Sequence, residues 1–285
     1  MTNKKGFPIN YLVSMSSLQR IFDERSCFHW WKLAFLLLFI NGCLMMPIAL
    51  HLSTVKSVPL SLIAPTIDKT INTKFVSQIR GISIENGTLS AMSSHEQKSG
   101  NRLLAIDPSN TLKINGFGFH QSVKDFESVL VFQRHRLVIS DENGFGFTLT
   151  YPKNESIMLT SDISDLKELV SQLWIRQYKP VYLAAAMLLC FIGLMFSNMI
   201  LMGVMAFILW LTKHSKISDI HSFREAVAIV VMSAGWPSIT ALIVSLFSFD
   251  FGSMIMIQSI GLVLMISLVF WKTRFQNVRQ KIVDA

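Results

Sequence analysis

Residues 181–211, VYLAAAMLLCFIGLMFSNMILMGVMAFILWL, run for 31 positions without a single ionisable Asp, Glu, Lys, Arg or His. At 1.5 Å per residue they make about 46 Å of helix, more than one hydrocarbon core and too little for two crossings with a turn between them. The stretch therefore reads as one long, tilted transmembrane helix. Working outward, residues 33–52 are also free of Asp, Glu, Lys and Arg, and they match one core of about 30 Å. The 32 residues ahead of them, the length of the run and the absence of a small-x-small site favour a retained anchor over a cleaved signal peptide. Two more apolar runs, 226–249 and 250–271, meet at Asp250, with Gly252 available to turn the chain into a tight hairpin.

Charge orders these runs. The chain is 51% hydrophobic, 15% charged and formally +8, yet residues 53–180 carry a net charge of only +2. The excess lies in the N-terminal 1–32, the 212–225 loop and the 272–285 tail, which together carry a net +7. Basic residues collected in short flanks of apolar spans are the signature of the positive-inside rule, so the charge reports topology and does not call for nucleic acid. Four crossings place all three basic segments in the cytoplasm and residues 53–180 outside; two crossings within 181–211 would break that agreement. Trp30, Trp31, Trp210 and Trp271 at the inner boundary, with Trp174 and Tyr178 at the outer one, fit interfacial belts.

Before the first span, Leu12, Met15, Leu18, Ile21 and Phe22 recur at helical spacing and predict a short amphipathic helix on the inner membrane face. Before the second, Leu166, Leu169, Val170, Leu173 and Trp174 form an apolar stripe on a helix that runs into the span. Between them, residues 82–84, 88–89, 103–106, 129–132, 137–140 and 145–151 read as strands. Asn86-Gly87, Asp107-Pro108 and Asn143-Gly144 supply turns, and 91–101 reads as a polar loop. The expected fold is an integral membrane α-helical protein with about four transmembrane helices. An extracytoplasmic α+β domain with a small antiparallel sheet is inserted between helices one and two.

Two features of the spans stand out. Ser222-Phe223-Arg224-Glu225 is a capping box, in which Ser222 and Glu225 satisfy each other's backbone amides at the start of span three. Gly235, Trp236 and Pro237 follow near its midpoint, where the proline removes a backbone bond and predicts a kink; the readings are a packing bend, or a hinge or ligand-lining break. Among polar residues within the runs, Asn41, Asn198 and Gln258 are the candidates for contacts between helices, or with another subunit or a lipid.

Catalytic signatures are missing from the sequence. The spans hold no Asp, Glu, Lys or Arg to relay an ion, which argues against transport by this chain alone. His95, His120 and His135 are too irregularly spaced for a metal site, and no catalytic residue, cofactor site or metal ligand is assigned. Asn115-Gly116-Phe117-Gly118-Phe119 and Asn143-Gly144-Phe145-Gly146-Phe147 suit turns entering strands, and their repetition is either an internal echo or chance. Cys27, Cys43 and Cys190 lie outside 53–180, so that domain has no disulfide, which leans towards a bacterial source.

The order of features resembles a domain-of-unknown-function family of Gram-positive bacterial membrane proteins, some of whose members are described as maltodextrin-utilisation proteins. The resemblance covers most of the chain. It rests on Ser17-Leu18-Gln19-Arg20-Ile21-Phe22, Ile84-Glu85-Asn86-Gly87-Thr88-Leu89, Leu104-Ala105-Ile106-Asp107-Pro108 and Ser222-Phe223-Arg224-Glu225-Ala226 with a proline in the next span. The family implies no active site, and its link to carbohydrate uptake tilts the expectation. That expectation is a non-enzymatic accessory or regulatory membrane protein with a membrane-protein partner; the alternatives are a membrane-bound enzyme acting on lipid or cell-wall material at the outer surface, and a sensor needing a partner for output.

Overall fold

The computed structural model describes residues 11, 17–116, 118–214 and 218–276. The chain forms two compact units, one of residues Val55–Tyr182 and one that joins Met1–Thr54 to Leu183–Ala285. Among the described residues four helices are long and apolar enough to cross a membrane, and they make this a helical membrane protein.

The first helix, α1 (Leu18–Asp23), buries Ile21 and Phe22 completely, so it packs into the helical unit and is not merely laid on a surface. Leu12 and Met15 of the expected amphipathic segment lie outside the described residues. Helix α2 (Trp30–Thr54) is the first apolar helix and contains Pro47.

Within Val55–Tyr182, three short helices come first: α3 (Leu60–Ile63), α4 (Pro65–Thr70) and α5 (Thr73–Ile79). Asn72 caps the last of them, its Oδ1 accepting from the Phe75 amide at 2.9 Å. Strands β1 (Ser83–Glu85) and β2 (Thr88–Leu89) form a hairpin whose turn residues, Asn86 and Gly87, both have positive φ, the geometry of a type I′ turn. Strand β10 (Ser156–Met158) pairs antiparallel on the other side of β1.

The main sheet is five-stranded, ordered β3 (His95–Ser99), β4 (Arg102–Asp107), β7 (Ser128–Gln133), β8 (Arg136–Ser140) and β9 (Gly146–Thr150). It departs from the sequence expectation twice. Strand β3 occupies the stretch read as a polar loop; His95-Glu96-Gln97-Lys98-Ser99 is an edge strand with mostly exposed side chains and therefore lacks apolar alternation. Strands β4 and β7 pair in parallel, in a sheet otherwise antiparallel. A parallel pair needs a long crossover, and residues 108–127 supply it, with the hairpin of β5 (Ile114–Asn115) and β6 (Ser122–Val123) inside it. The crossover lays Leu112, Ile114, Val123 and Phe126 over one face of the sheet, against Leu103, Ala105, Val129, Val131 and Val138. The opposite face buries Leu104, Ile106, Leu130, Phe132 and Leu137 with Phe75 and Val170. Covered on both faces, β7 has all six residues buried, which is why Ser-Val-Leu-Val-Phe-Gln reads as a continuous run.

Helix α6 (Ile163–Leu211) is one 49-residue element that carries both the amphipathic stripe and the long uncharged run, with Pro180 inside it. Helices α7 (Phe223–Ser233), α8 (Gly235–Phe247) and α9 (Phe251–Thr273) complete the helical unit. The hairpin turn does not use Gly252, which lies in the first turn of α9. Asp250 makes the reversal instead: as N-cap, its Oδ2 accepts from the Ser253 amide at 2.7 Å.

Candidate functional site: a polar seam through an apolar bundle

The uncharged stretches of α2, α6, α8 and α9 carry few polar side chains, and these are the ones that need partners. Four such residues meet. Asn41 on α2 and Asn198 on α6 are joined by a 2.8 Å bond from Asn198 Nδ2 to Asn41 Oδ1. Gln258 Nε2 on α9 donates to Asn198 Oδ1 at 3.0 Å and approaches Ser238 Oγ on α8 at 3.4 Å. Asn41 Nδ2 closes the line on the Leu37 carbonyl at 2.7 Å. Asn41 and Asn198 thus each donate one way and accept the other, Gln258 donates from its amide nitrogen, and the four side chains are between 0% and 3% exposed. The three residues selected by type alone come together, and Ser238 joins them. A groove of about 310 Å³ between α6 and α9 reaches this seam, lined by Ser197, Asn198, Gln258 and Ser259 among aliphatic residues.

Gly235, Trp236 and Pro237 sit where the third apolar helix breaks. Helix α7 ends at Ser233 and α8 starts at Gly235, with Ala234 between them. Pro237 has no N–H, so the Ser233 carbonyl four residues back receives no helical bond from it. The Ser233 hydroxyl is buried without a hydrogen-bond partner among the described residues. Pro237 is packed by Gly261 of α9, where an added Cβ would stand 2.8 Å from the proline Cβ. Trp236 is turned outward, 46% exposed, and with Pro237, Thr240, Ile260 and Leu264 lines an open apolar groove of about 600 Å³.

At one end of the bundle lies a buried charge cluster that the sequence reading did not single out. Arg25 is 5% exposed; its Nη1 donates to the Phe22 carbonyl at 2.8 Å and its Nη2 to the Asp219 carbonyl at 3.0 Å. Its Nε lies 3.6 Å from Glu225 Oε2, and the guanidinium covers the Phe22 ring at 3.8 Å. Burial pulls the Arg25 pKa down, while Glu225, Asp219 and Asp23 pull it back up. Glu225 is also half of the capping box, in a modified form. Its amide donates to Ser222 Oγ at 3.3 Å, but its carboxylate accepts from His221 N at 2.9 Å and not from Ser222. Nothing in the local pattern around Arg25 marks it, because Glu225 and Asp219 are remote in sequence.

In the Val55–Tyr182 unit, the three histidines stand apart. His95 meets Ser93 Oγ at 2.9 Å, His135 meets the Gly87 carbonyl at 3.3 Å, and the His120 ring lies tilted beside Phe145 at 6.4 Å. Among the described residues no three His, Cys, Asp or Glu side chains are grouped to hold a metal. A groove of about 320 Å³ is lined by Asp165 and Glu168 of α6, with Thr160 Oγ1 donating to Asp165 at 2.8 Å and Gln172 Nε2 to Glu168 at 3.0 Å.

Comparison with known proteins locates the chain. It is 32% identical over 277 residues to the Bacillus subtilis (strain 168) protein named "Putative maltodextrin utilization protein YvdJ", covering 96% of this chain and 93% of that one. It is 25% identical over 273 residues to the "Maltodextrose utilization protein MalA" of Streptococcus pneumoniae (strain ATCC BAA-255 / R6), covering 95% and 97% of the two chains. No solved structure matches it. The family model described as "Protein of unknown function (DUF1189)" matches residues 28–271, from the start of the first apolar helix to the end of the last, and the chain belongs to that family.

Proposed function

We propose that this protein is a non-enzymatic accessory or regulatory component of a membrane complex serving carbohydrate uptake. Its four apolar helices cross the cell membrane, both termini and the 212–225 loop are cytoplasmic, and residues 53–180 form an extracytoplasmic domain that contacts a partner or ligand. The observation that carries the reading is the polar seam. In a bundle that moves an ion or a polar solute, buried polar groups line a path and include an ionisable one. Here Asn41, Asn198, Gln258 and Ser238 hydrogen-bond one another, and the apolar runs hold no Asp, Glu, Lys or Arg. Such a bundle is built to hold helices together and to leave its outer faces to lipid and to other membrane proteins. The two relatives named for maltodextrin or maltodextrose utilisation supply the carbohydrate direction.

The test is uptake of labelled maltodextrin by cells with and without the gene, alongside copurification in mild detergent. Slower uptake restored by the intact chain supports the reading, as does recovery with a sugar permease. Unchanged uptake together with recovery of the chain alone overturns it. The topology is checked separately by labelling Lys98→Cys and Lys213→Cys in a cysteine-free background; reaction of both from the same side removes the basis for the extracytoplasmic assignment.

An enzyme acting on lipid or cell-wall material at the outer surface is the second reading, and the Asp165/Glu168 groove is the feature in its favour. Paired carboxylates flank a scissile bond in most glycoside hydrolases. Here both sit on one helix, three residues apart, and each already accepts a hydrogen bond from a neighbour. Loss of a measured hydrolytic activity in both Asp165→Asn and Glu168→Gln would favour this reading over the first.

A further inference from the structure

The two Asn-Gly-Phe-Gly-Phe pentapeptides, 28 residues apart in sequence, meet at Phe119 and Gly146 in the Val55–Tyr182 unit. Among the described residues of the first, Asn115 ends β5 and Gly116, Gly118 and Phe119 lie in the turn before β6, while the second leads from β8 into β9. Gly146 N donates to the Phe119 carbonyl at 2.8 Å, and His120 bridges Gly146 in parallel. The glycines permit this approach. A Cβ on Gly146 would overlap the Gln121 carbonyl, and one on Gly116, at φ +95°, would overlap the carbonyl of His120. Both turns thereby present phenylalanines on one edge of the unit: Phe119 is 38% exposed and Phe145 50%.

That edge is built onto α6 at a defined height. Phe119 and Phe147 meet edge-on at 5.7 Å, and both pack on Tyr178, at 5.4 and 5.6 Å. Phe147 also meets Trp174 edge-on, and Trp174 meets Tyr178 and Tyr182. Trp174, Tyr178 and Tyr182 are four residues apart on one face of the helix. The last charge before the uncharged run is Lys179, and the run begins at residue 181. On the membrane topology proposed above, the phenylalanine turns pack against α6 at the level where it passes from water into hydrocarbon.

We propose that the paired pentapeptide turns are a membrane-seated aromatic foot, with Phe119 and Phe145 lying in the lipid headgroup layer beside the helix. Phenylalanine on the apolar face of a surface-seated element buries at the headgroup and acyl boundary, tryptophan and tyrosine are enriched beside it, and lysine there reaches phosphate. The neighbouring polar groups are already committed to one another, which favours lipid over a sugar as the occupant. Gln177 accepts from Thr150 N and donates to the Thr148 carbonyl, both at 3.0 Å, and the Thr148 hydroxyl donates to Gln121. Trp174 Nε1 is closed off from solvent, with no hydrogen-bond partner among the described residues. A sugar platform needs open ring faces rimmed by available hydrogen-bonding groups, and this edge offers phenylalanine.

The experiment uses the full chain, with Cys27, Cys43 and Cys190 replaced by serine, reconstituted into phosphatidylcholine/phosphatidylglycerol vesicles. A nitroxide is attached in turn at Phe119→Cys, Phe145→Cys, Lys98→Cys on the polar edge strand, and Leu189→Cys within the long apolar run. Collision rates with oxygen and with a water-soluble nickel chelate read depth. The expected result is an oxygen-to-nickel ratio at 119 and 145 several-fold above that at 98 and below that at 189. Labels at both positions matching Lys98 overturn the proposal. So does immobilisation of either label by maltohexaose with nickel exposure equal to that at 98, which would make the edge a sugar site. Phe119→Cys and Phe145→Cys replace exposed rings, and recovery of unlabelled material with unchanged strand and helix signals shows that both fold.

Discussion

The two units bury polarity in opposite ways. The sheet unit encloses a carboxylate: Asp107, 2% exposed at the end of β4, accepts from Thr111 N and Leu112 N at 2.9 Å, Thr111 Oγ1 at 2.8 Å and Gln133 Nε2 at 3.2 Å. Asp107 and Gln133 are register partners on the parallel strands, so this one side chain ties the start of the crossover to the strand that follows it. The helical unit keeps neutral amides at the seam, and among its described residues the buried charges are Arg25 and Glu225 at one end. Donors decide the difference. A strand end that opens into a turn offers several free N–H groups to a carboxylate, whereas mid-helix N–H groups are already paired, so a side-chain oxygen there has only other side chains to accept from.

Four substitutions break or sharpen this contrast. The largest effect is expected at Arg25. Removing one member of a buried ion pair leaves the other charge uncompensated, so Arg25→Met should cost about 3–5 kcal/mol, with part of the loss recovered in the double variant R25M/E225Q. Detergent-titration unfolding of the full chain measures it, and a cost below about 1 kcal/mol would mean that this end tolerates lost charge as well as a surface does.

Asp107→Ala comes next. Stranding two amides, a hydroxyl and the Gln133 amide should cost about 2–3 kcal/mol, read as an earlier thermal loss of the strand signal in far-ultraviolet circular dichroism. The same carboxylate carries a pH signature. Burial alone would raise its pKa, but the hydrogen bonds from Leu112, Thr111 and Gln133 outweigh it and hold the group below the ordinary carboxylate range. A depressed folded-state pKa contributes stability above the unfolded value and loses it as the pH falls through the folded one. Wild-type stability should therefore decline on acidification below that range, and the Asp107→Ala curve should lack this component; parallel curves would refute the assignment.

Asn198→Leu removes the central link of the seam. At about 0.6–2 kcal/mol for each interhelical contact, the loss should be smaller than at Asp107 and should weaken the hold of α6 on α2 and α9 together. Crosslinking between cysteines placed on α2 and α6 measures that hold. The smallest effect belongs to Ser238→Ala, whose hydroxyl is 3.4 Å from Gln258; a loss above about 1 kcal/mol would show that the long contact is a full hydrogen bond.

Legibility in the sequence followed locality. The apolar runs were readable because each is contiguous, and the Asn86-Gly87 turn because both residues favour positive φ. Asp250 was visible as a break between runs, but its role as N-cap was not, and Gly252 drew the turn that Ser248 to Asp250 make. The edge strand β3 was hidden by its polarity, since an exposed strand has no face to pattern. Asn41, Asn198 and Gln258 were recognisable as residues needing partners, yet 157 and 60 positions separate them, and no local signal pairs them.

What the sequence determined by itself is which segments are long and apolar enough to enter a membrane, because transfer of an uncharged run into hydrocarbon depends on composition and length. It likewise determined that the helix before the second span joins it, since the apolar stripe continues without a helix stop until Pro180, which α6 absorbs. The tertiary structure alone decided which strands run parallel, which amides meet, and that Phe119 and Phe145, from two identical pentapeptides separated by β6, β7 and β8, would share one edge. Each of these depends on distances between residues far apart along the chain, and such distances are set by packing the whole core at once.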